Sequence, residues 1–77
     1  MGIYVKIFGQ LSDITGKNEL QFSNVRDTDQ LLKELQDLYP SLKHVKYACA
    51  VDQKVIKSNT MLEENSIVAL LPPFSGG

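Results

Sequence analysis

The start of the chain alternates apolar and polar side chains with the period of two that is typical of a β-strand. One face is fully apolar and the other carries two aromatic residues and a lysine; the faces are Ile3, Val5 and Ile7, and Tyr4, Lys6 and Phe8. A second strand is predicted at Glu19–Val25, with Leu20 and Phe22 turned inward. Because the two strands are close in sequence, we expect an antiparallel hairpin, with Leu11 and Ile14 of the connecting loop docked on the core.

Four leucines with helical spacing predict the one main helix of the chain. They form a single apolar stripe: Leu31, Leu32, Leu35 and Leu38. Asp27 is the expected N-cap, and Gln30 stands three residues later in the capping-box position. Pro40 is expected to end the helix after Tyr39, because proline cannot continue a helix.

Three short strands are predicted after the helix, at Tyr47–Val51, Lys54–Ile56 and Ile67–Leu71. Asp52 and Gln53 form the tight turn between the first two. Met61 and Leu62 are expected to anchor the polar connector that leads to the last strand. That strand is apolar on both faces, which predicts a covered or central position in a sheet. The element order predicts an α+β domain with one helix against one sheet face.

The residues after the last strand have a different character. We expect residues 1–71 to form the domain and residues 72–77 to leave it as an extended tail, because Pro72 and Pro73 cannot pair within a sheet. Gly76 and Gly77 lack a Cβ, so the end of this tail is slender enough to enter a narrow site. The α-carboxylate of Gly77 is the candidate reactive group.

Composition and charge narrow the classes of function. The chain has 77 residues, 43% of them hydrophobic, which predicts one packed domain. A net charge of −1 gives no electrostatic reason to bind nucleic acid or an anionic membrane, so neither is expected as a partner. Apolar runs such as Ile67–Leu71 are far shorter than the ~20 residues that span a bilayer. A lone cysteine and no expected signal peptide favour a cytoplasmic location.

The sequence offers no complete active site of its own. It contains no serine–histidine–aspartate arrangement and no glycine-rich phosphate loop. No histidine, cysteine or carboxylate group has the spacing of metal ligands, so neither a metal nor a bound cofactor is expected. Cys49 is interpreted as a small apolar strand residue rather than a sulfur relay. Whether the chain counts as an enzyme by itself is left open.

Three segments carry a resemblance to a known family. They are Val5–Gln10, Ala50–Gln53 and Val68–Gly77, the last with its double proline and terminal glycine pair. With this element order, the chain resembles β-grasp (ubiquitin-like) proteins and, more closely, the family of molybdopterin synthase small subunits. Phe74 departs from the family pattern, because an aliphatic residue is expected there.

The resemblance implies a mixed sheet of four to five strands on one main helix. It also implies a sulfur carrier whose Gly77 is adenylated by a partner of the ubiquitin-activating type, which uses ATP and magnesium. A sulfur donor enzyme then converts the carboxylate to a thiocarboxylate. Within a heterotetramer, the large synthase subunit uses this sulfur on a cyclic pyranopterin phosphate during molybdenum cofactor biosynthesis.

Residue roles follow from the same resemblance. Gly77 and Gly76 are the expected reactive end, and the residues expected to form the tail and contact the partner are Tyr4, Phe8, Leu71, Pro72, Pro73, Phe74 and Ser75. The apolar members are expected to form a docking surface beside the exit of the tail. Two alternatives stay open: a thiamine-pathway sulfur carrier, which has the same fold and ending, and a ubiquitin-like modifier attached to lysines. A binding module without tail chemistry is a third.

Overall fold

The structure, a computed structural model, describes residues 2–72 and has the predicted order of five strands and one main helix, with two further short helices. The elements are β1 Ile3–Ile7, α1 Leu11–Thr15, β2 Glu19–Phe22, α2 Thr28–Leu38, a 3₁₀ helix Pro40–His44, β3 Ala48–Val51, β4 Lys54–Ile56 and β5 Ile67–Leu71. In this part of the chain, α2 is the one long helix, since α1 has five residues. No helix in the described range is both long enough and apolar enough to cross a membrane.

The five described strands form one mixed sheet in the order β2-β1-β5-β3-β4. β1 pairs with β2 as the predicted antiparallel hairpin, and β1 also pairs in parallel with β5. β3 pairs antiparallel with both β4 and β5. The last strand therefore takes the central position that its apolar sequence predicts. One helix against one face of this mixed sheet confirms the α+β, β-grasp (ubiquitin-like) fold.

The core lies between α2 and the sheet face that carries Ile3, Val5 and Ile7 of β1. Leu31 and Leu35 of α2 are fully buried, as are Val5, Val68 and Leu70 of the sheet. These belong to one continuous cluster of buried apolar side chains. The predicted inward residues of β2, Leu20 and Phe22, are half-buried at the margin of this cluster.

The N-terminus of α2 is capped as the sequence predicts. Asp27 Oδ1 accepts a hydrogen bond from the Gln30 backbone N–H at 2.9 Å. The Gln30 side-chain oxygen accepts one from the Arg26 N–H at 3.0 Å, so the reciprocal bond lands one residue before the N-cap. Thr28 is bonded to the chain at Thr60 through its N–H and its hydroxyl, both at 2.9 Å, which ties the connector before β5 to the start of the helix.

Two predicted core residues are exposed instead. Leu38 is 61% exposed, because the chain turns at Pro40 and the 3₁₀ helix brings Leu42 inward, where it is 1% exposed. Met61 is 69% exposed, so of the predicted apolar pair only Leu62 packs into the core. The segment Glu19–Val25 is also shorter than predicted as a strand: β2 ends at Phe22. A left-handed residue follows at Asn24, with φ 63°, and turns the chain out of the ladder.

The turn between β3 and β4 is bound to the start of β5. Its two residues have φ values of 48° at Asp52 and 73° at Gln53, the sign that a type I′ hairpin turn requires. The Asp52 N–H donates to the Ile67 carbonyl at 2.8 Å. The Ile67 N–H donates in turn to Asp52 Oδ1 at 3.0 Å. The predicted turn is confirmed, and its aspartate fixes the point at which β5 begins.

Leucine substitutions on α2 separate the buried stripe from its exposed end. Leu35→Ala should lower the free energy of unfolding by about 2–5 kcal/mol, because it truncates a fully buried side chain and leaves a cavity in the core. Leu38→Ala, the matched control, should change it by less than about 0.5 kcal/mol, because that side chain is largely in solvent. Urea unfolding followed by circular dichroism measures both, and equal losses in the two variants would contradict the packing described here.

Candidate functional site

The sheet face opposite α2 is open and mostly apolar within the described residues. Its central row pairs Lys6 of β1 with Ala69 of β5, and Ala69 with Ala50 of β3. The residues of this open face are Tyr4, Lys6, Ala48, Ala50, Val55, Ile67, Ala69 and Leu71, with Phe8 just beyond the end of β1. Such a continuous apolar surface on a small domain is typical of a protein–protein contact.

A shallow depression lies on this open face. Its volume is about 380 Å³, and it is lined by Lys6, Phe8, Asp52, Gln53, Ile67 and Ala69. Phe8 is 46% exposed and Ile67 is 41% exposed, so two large apolar side chains border it in contact with solvent. Asp52 is held at its rim by the hydrogen bond from Ile67. The depression suits an apolar side chain of a partner better than a charged group.

The exit of the chain from the sheet lies at one end of the open face. Parallel pairing of β1 and β5 brings the carboxyl ends of both strands to the same edge. The Phe8 N–H donates to the Leu70 carbonyl at 3.1 Å, so β5 stays bonded to the neighbouring chain nearly to its last residue. Leu71, which pairs with Ala48 of β3, is half-buried there. Whatever follows Leu71 starts beside Phe8.

Pro72 lies against Gly9 at this exit. Gly9 has φ 61°, in the left-handed region that favours glycine. A Cβ built on Gly9 would lie 2.6 Å from Cγ of Pro72, closer than non-bonded carbon atoms approach. The proline ring therefore occupies the space that any other residue at position 9 would fill with its side chain.

The predicted partner-binding residues do not all lie together. Phe8, Leu71 and Pro72 meet at the exit of the chain, as the docking prediction requires. Tyr4 is half-buried and on the same face, but it pairs with Ile67. Because β5 rises about 3.3 Å per residue, Tyr4 lies ~13 Å from the exit. The other predicted residues lie outside the described range: Pro73, Phe74, Ser75, Gly76 and Gly77.

Several residues of the open face escaped the sequence prediction. Ile67 and Ala69 share the alternation of Leu71, but the wholly apolar sequence of β5 suggested burial on both sides. Val55 is 58% exposed on β4, where it pairs with Ala50. Their spacing of two along each strand was the available signal. For Gly9 the sequence holds no local signal, because its contact comes from the far end of the chain.

Cys49 lies on the buried side of the sheet, away from the open face. It pairs with Leu70 and is 8% exposed. Burial raises the pKa of the Cys49 thiol to about 11, so the thiol stays protonated at neutral pH. This environment agrees with the interpretation of Cys49 as an apolar strand residue and not as a nucleophile.

The described residues supply no catalytic constellation. Between residues 2 and 72, no group of three histidine, cysteine, aspartate or glutamate side chains is placed to hold a metal ion. On the open face, Lys6 lies between Ala69 of β5 and Glu19 of β2, its two cross-strand neighbours. The chemistry of this face is that of a binding surface next to the base of a C-terminal segment.

Comparison with known sequences matches nearly the whole chain. The sequence model of the ThiS family matches residues 5–77. A curated relative, the molybdopterin synthase sulfur carrier subunit of Mycobacterium tuberculosis, is 29% identical over 77 residues, which are 97% of this chain and 93% of the relative.

Solved structures with the same fold include two kinds of protein. The solution structure of small archaeal modifier protein 1 from Methanosarcina acetivorans has a TM-score of 0.85 at 26% identity, covering 99% of this chain and 96% of that one. A chain in the complex of subunits 1 and 2 of molybdopterin-converting factor from Helicobacter pylori has a TM-score of 0.73 at 28% identity, covering 100% of both. A putative molybdopterin converting factor subunit 1 from Pyrococcus furiosus has a TM-score of 0.84 at 17% identity, covering 96% and 99%, and shows the fold alone.

The buried thiol makes a prediction about reactivity. With its pKa raised from 9.0 to about 11, Cys49 should hold ~100-fold less thiolate at pH 8 than a free cysteine, and the thiolate is the reacting species. Iodoacetamide should therefore alkylate Cys49 at least ~100-fold more slowly in the folded chain than in the chain unfolded in urea. Alkylation at equal rates in the two conditions would contradict the buried position.

Proposed function

Because the chain belongs to the ThiS family, we propose that it is a sulfur carrier and the small subunit of molybdopterin synthase. The observation that carries this proposal is the position of β5. This central strand leads directly into Pro72 and the glycine pair, and it does so at one end of an open apolar face. A carrier needs both features: a domain that docks by one surface and a chain end that reaches past it.

The tail chemistry follows from the properties of a carboxylate. A carboxylate is a poor electrophile, so the Gly77 oxygen would first attack the α-phosphorus of ATP on an adenylyltransferase that supplies magnesium, with release of pyrophosphate. A sulfur donor enzyme would then supply sulfur at the oxidation level of sulfide, which attacks the acyl carbon, displaces AMP and loses its proton. The resulting thiocarboxylate concentrates negative charge on sulfur, a soft nucleophile. Gly76 and Gly77 keep the end slender enough for a buried site.

Two relatives support the proposed acceptor. The Mycobacterium tuberculosis relative is named as the molybdopterin synthase carrier subunit, and the Helicobacter pylori structure is a complex of two converting-factor subunits. By analogy, the partner of the open face would be the large synthase subunit, which passes the sulfur to a cyclic pyranopterin phosphate. Two carriers and two large subunits would form the heterotetramer.

A second candidate function has its own support. The small archaeal modifier protein 1 of Methanosarcina acetivorans is 26% identical to this chain over almost the full length. A modifier would use the same activated Gly77 but transfer it to a lysine amine, forming an isopeptide bond. A thiamine-pathway sulfur carrier would instead keep the sulfur chemistry and change the acceptor. Denaturing gels of cell extracts separate the modifier, which gives a series of heavier adducts, from both sulfur carriers.

Intact mass tests the carrier chemistry. After incubation with an activating enzyme, ATP, magnesium and a sulfur source, the protein should become about 16 Da heavier, because sulfur replaces one oxygen of the Gly77 carboxylate. A chain with Gly77 deleted should fold equally well by circular dichroism and show no such change. A Gly77-deleted protein that still supports sulfur transfer to the cyclic pyranopterin phosphate, in a reaction of purified components, would overturn the proposal.

The open face predicts the effect of a charge on docking. Phe8→Asp should weaken binding to the large synthase subunit by about 30-fold, because it places an anion in an apolar contact near the chain exit. Leu38→Asp is the matched control. Leu38 is also exposed, but it lies on α2, on the side of the sheet opposite the open face. Titration calorimetry measures both affinities. Equal binding by the two variants would exclude the open face as the docking surface.

A further inference from the structure

The contact between Gly9 and Pro72 joins two segments from opposite ends of the sequence. Gly9 follows β1, and Pro72 follows β5. The missing side chain of Gly9 and the ring of Pro72 are complementary, since a Cβ at position 9 would lie within 2.6 Å of Cγ and 3.5 Å of Cδ. We infer that Gly9 is a positioning residue, whose bare backbone seats Pro72 and so sets the direction in which the tail leaves the sheet.

Gly9 cannot readily move aside. The Gly9 carbonyl accepts hydrogen bonds from the Ser12 N–H at 3.2 Å and from the Ser12 hydroxyl at 2.8 Å. Its neighbour Phe8 is bonded to Leu70 at 3.1 Å. The backbone around position 9 is thus fixed on both sides, by α1 and by β5. Any side chain added at Gly9 must displace the proline.

Pro72 converts this displacement into a change of direction. Its ring fixes φ near −65°, and the proline that follows it restricts its ψ to extended values. Pro72 therefore moves as a stiff unit at the base of the tail. The added Cβ would need about 0.8 Å more room to reach ordinary contact, and five residues follow Pro72. A shift of the Pro72 ring therefore changes the direction in which the chain continues beyond the described residues.

A changed direction at Pro72 matters for the chemistry, and here the inference rests on the proposed function. Reaction of the Gly77 carboxylate or thiocarboxylate requires the end of the chain to reach an attacking geometry in two different partners. Misplacement of a reacting group by ~1 Å can cost ~100-fold in rate. Docking through Phe8 and Ile67 should be largely retained, because those two side chains do not change and only Pro72, at the edge of the docking surface, is displaced. The seat should therefore affect the rate of the bound complex more strongly than its affinity.

The chain provides a matched control for this inference. Gly16 also has a left-handed backbone, with φ 72°, but a Cβ built there meets nothing within 4 Å. Gly9→Ala and Gly16→Ala therefore share the backbone strain, and only the first disturbs Pro72. We expect both to lose a similar amount of thermal stability. Gly9→Ala should lower kcat for charging and for sulfur transfer at least ~10-fold with little change in KM, while Gly16→Ala keeps the wild-type kcat.

Substitution of Pro72, which removes the proline ring, tests the same contact with Gly9. Pro72→Ala should lower kcat, and Gly9→Ala/Pro72→Ala should lose no more than the larger single effect, because both changes remove one interaction. Equal kcat values for Gly9→Ala and Gly16→Ala would overturn the inference. The inference would also be overturned if the fold-decrease of kcat in the double variant equalled the product of the fold-decreases in Gly9→Ala and Pro72→Ala.

A structural measurement separates this inference from the proposed function. In the wild-type chain, NMR should show a nuclear Overhauser effect between the Gly9 Hα protons and the ring protons of Pro72, and Gly9→Ala should abolish it. If the wild-type protein is never charged, the proposed function fails, and the NMR result alone decides whether the seat exists. Absence of the effect in the wild-type chain overturns the inference, even if Gly9→Ala does not fold.

Discussion

The structure depends on β5 being hydrogen-bonded along both of its edges. Parallel pairing with β1 and antiparallel pairing with β3 place the last described strand at the centre of the sheet. A C-terminal segment that follows an edge strand is attached to a strand that is hydrogen-bonded on one side only. Here the supporting strand is paired with a neighbour on each side, so Pro72 begins from a fixed point. The reactive segment that we propose is thereby attached to the interior of the sheet.

The alternation of β5 divides the molecule into two functional halves. Val68 and Leu70 point toward α2 and are completely buried, whereas Ile67 is 41% exposed on the opposite side. The first side supplies the buried packing that stabilises the fold, and the second side is the docking surface that we propose. A substitution on the open face can therefore alter binding with little effect on folding, because it removes no buried contact with the helix.

Much of the fold follows from the sequence, because its signals are local. The cap at Asp27, the buried pair Leu31 and Leu35, and the Asp52-Gln53 turn each depend on neighbouring residues. Leu38 was misassigned because periodicity does not indicate where the chain will turn and supply Leu42 instead. Predictions for the tail residues stay predictions, since they lie outside the described range.

The open face illustrates a different limit of sequence reasoning. Apolar character usually indicates burial within the same chain, but Ile67 and Val55 are exposed on the open face, which we propose as a docking surface. Gly9 carries no pattern at all, and its role depends on a residue that folding brings from the other end of the chain. Both cases need coordinates, because the sequence alone does not give distances between remote segments.

The parallel arrangement of β1 and β5 also has a mechanical consequence. A pull applied at Gly2 and Pro72 in opposite directions acts along the two strands, so it loads their connecting hydrogen bonds together in shear. An antiparallel terminal pair pulled from one end would open one bond at a time. Resistance to such a pull depends on the rate of unfolding and not on equilibrium stability. A domain built this way resists a force applied through Pro72 and the opposite end of β1.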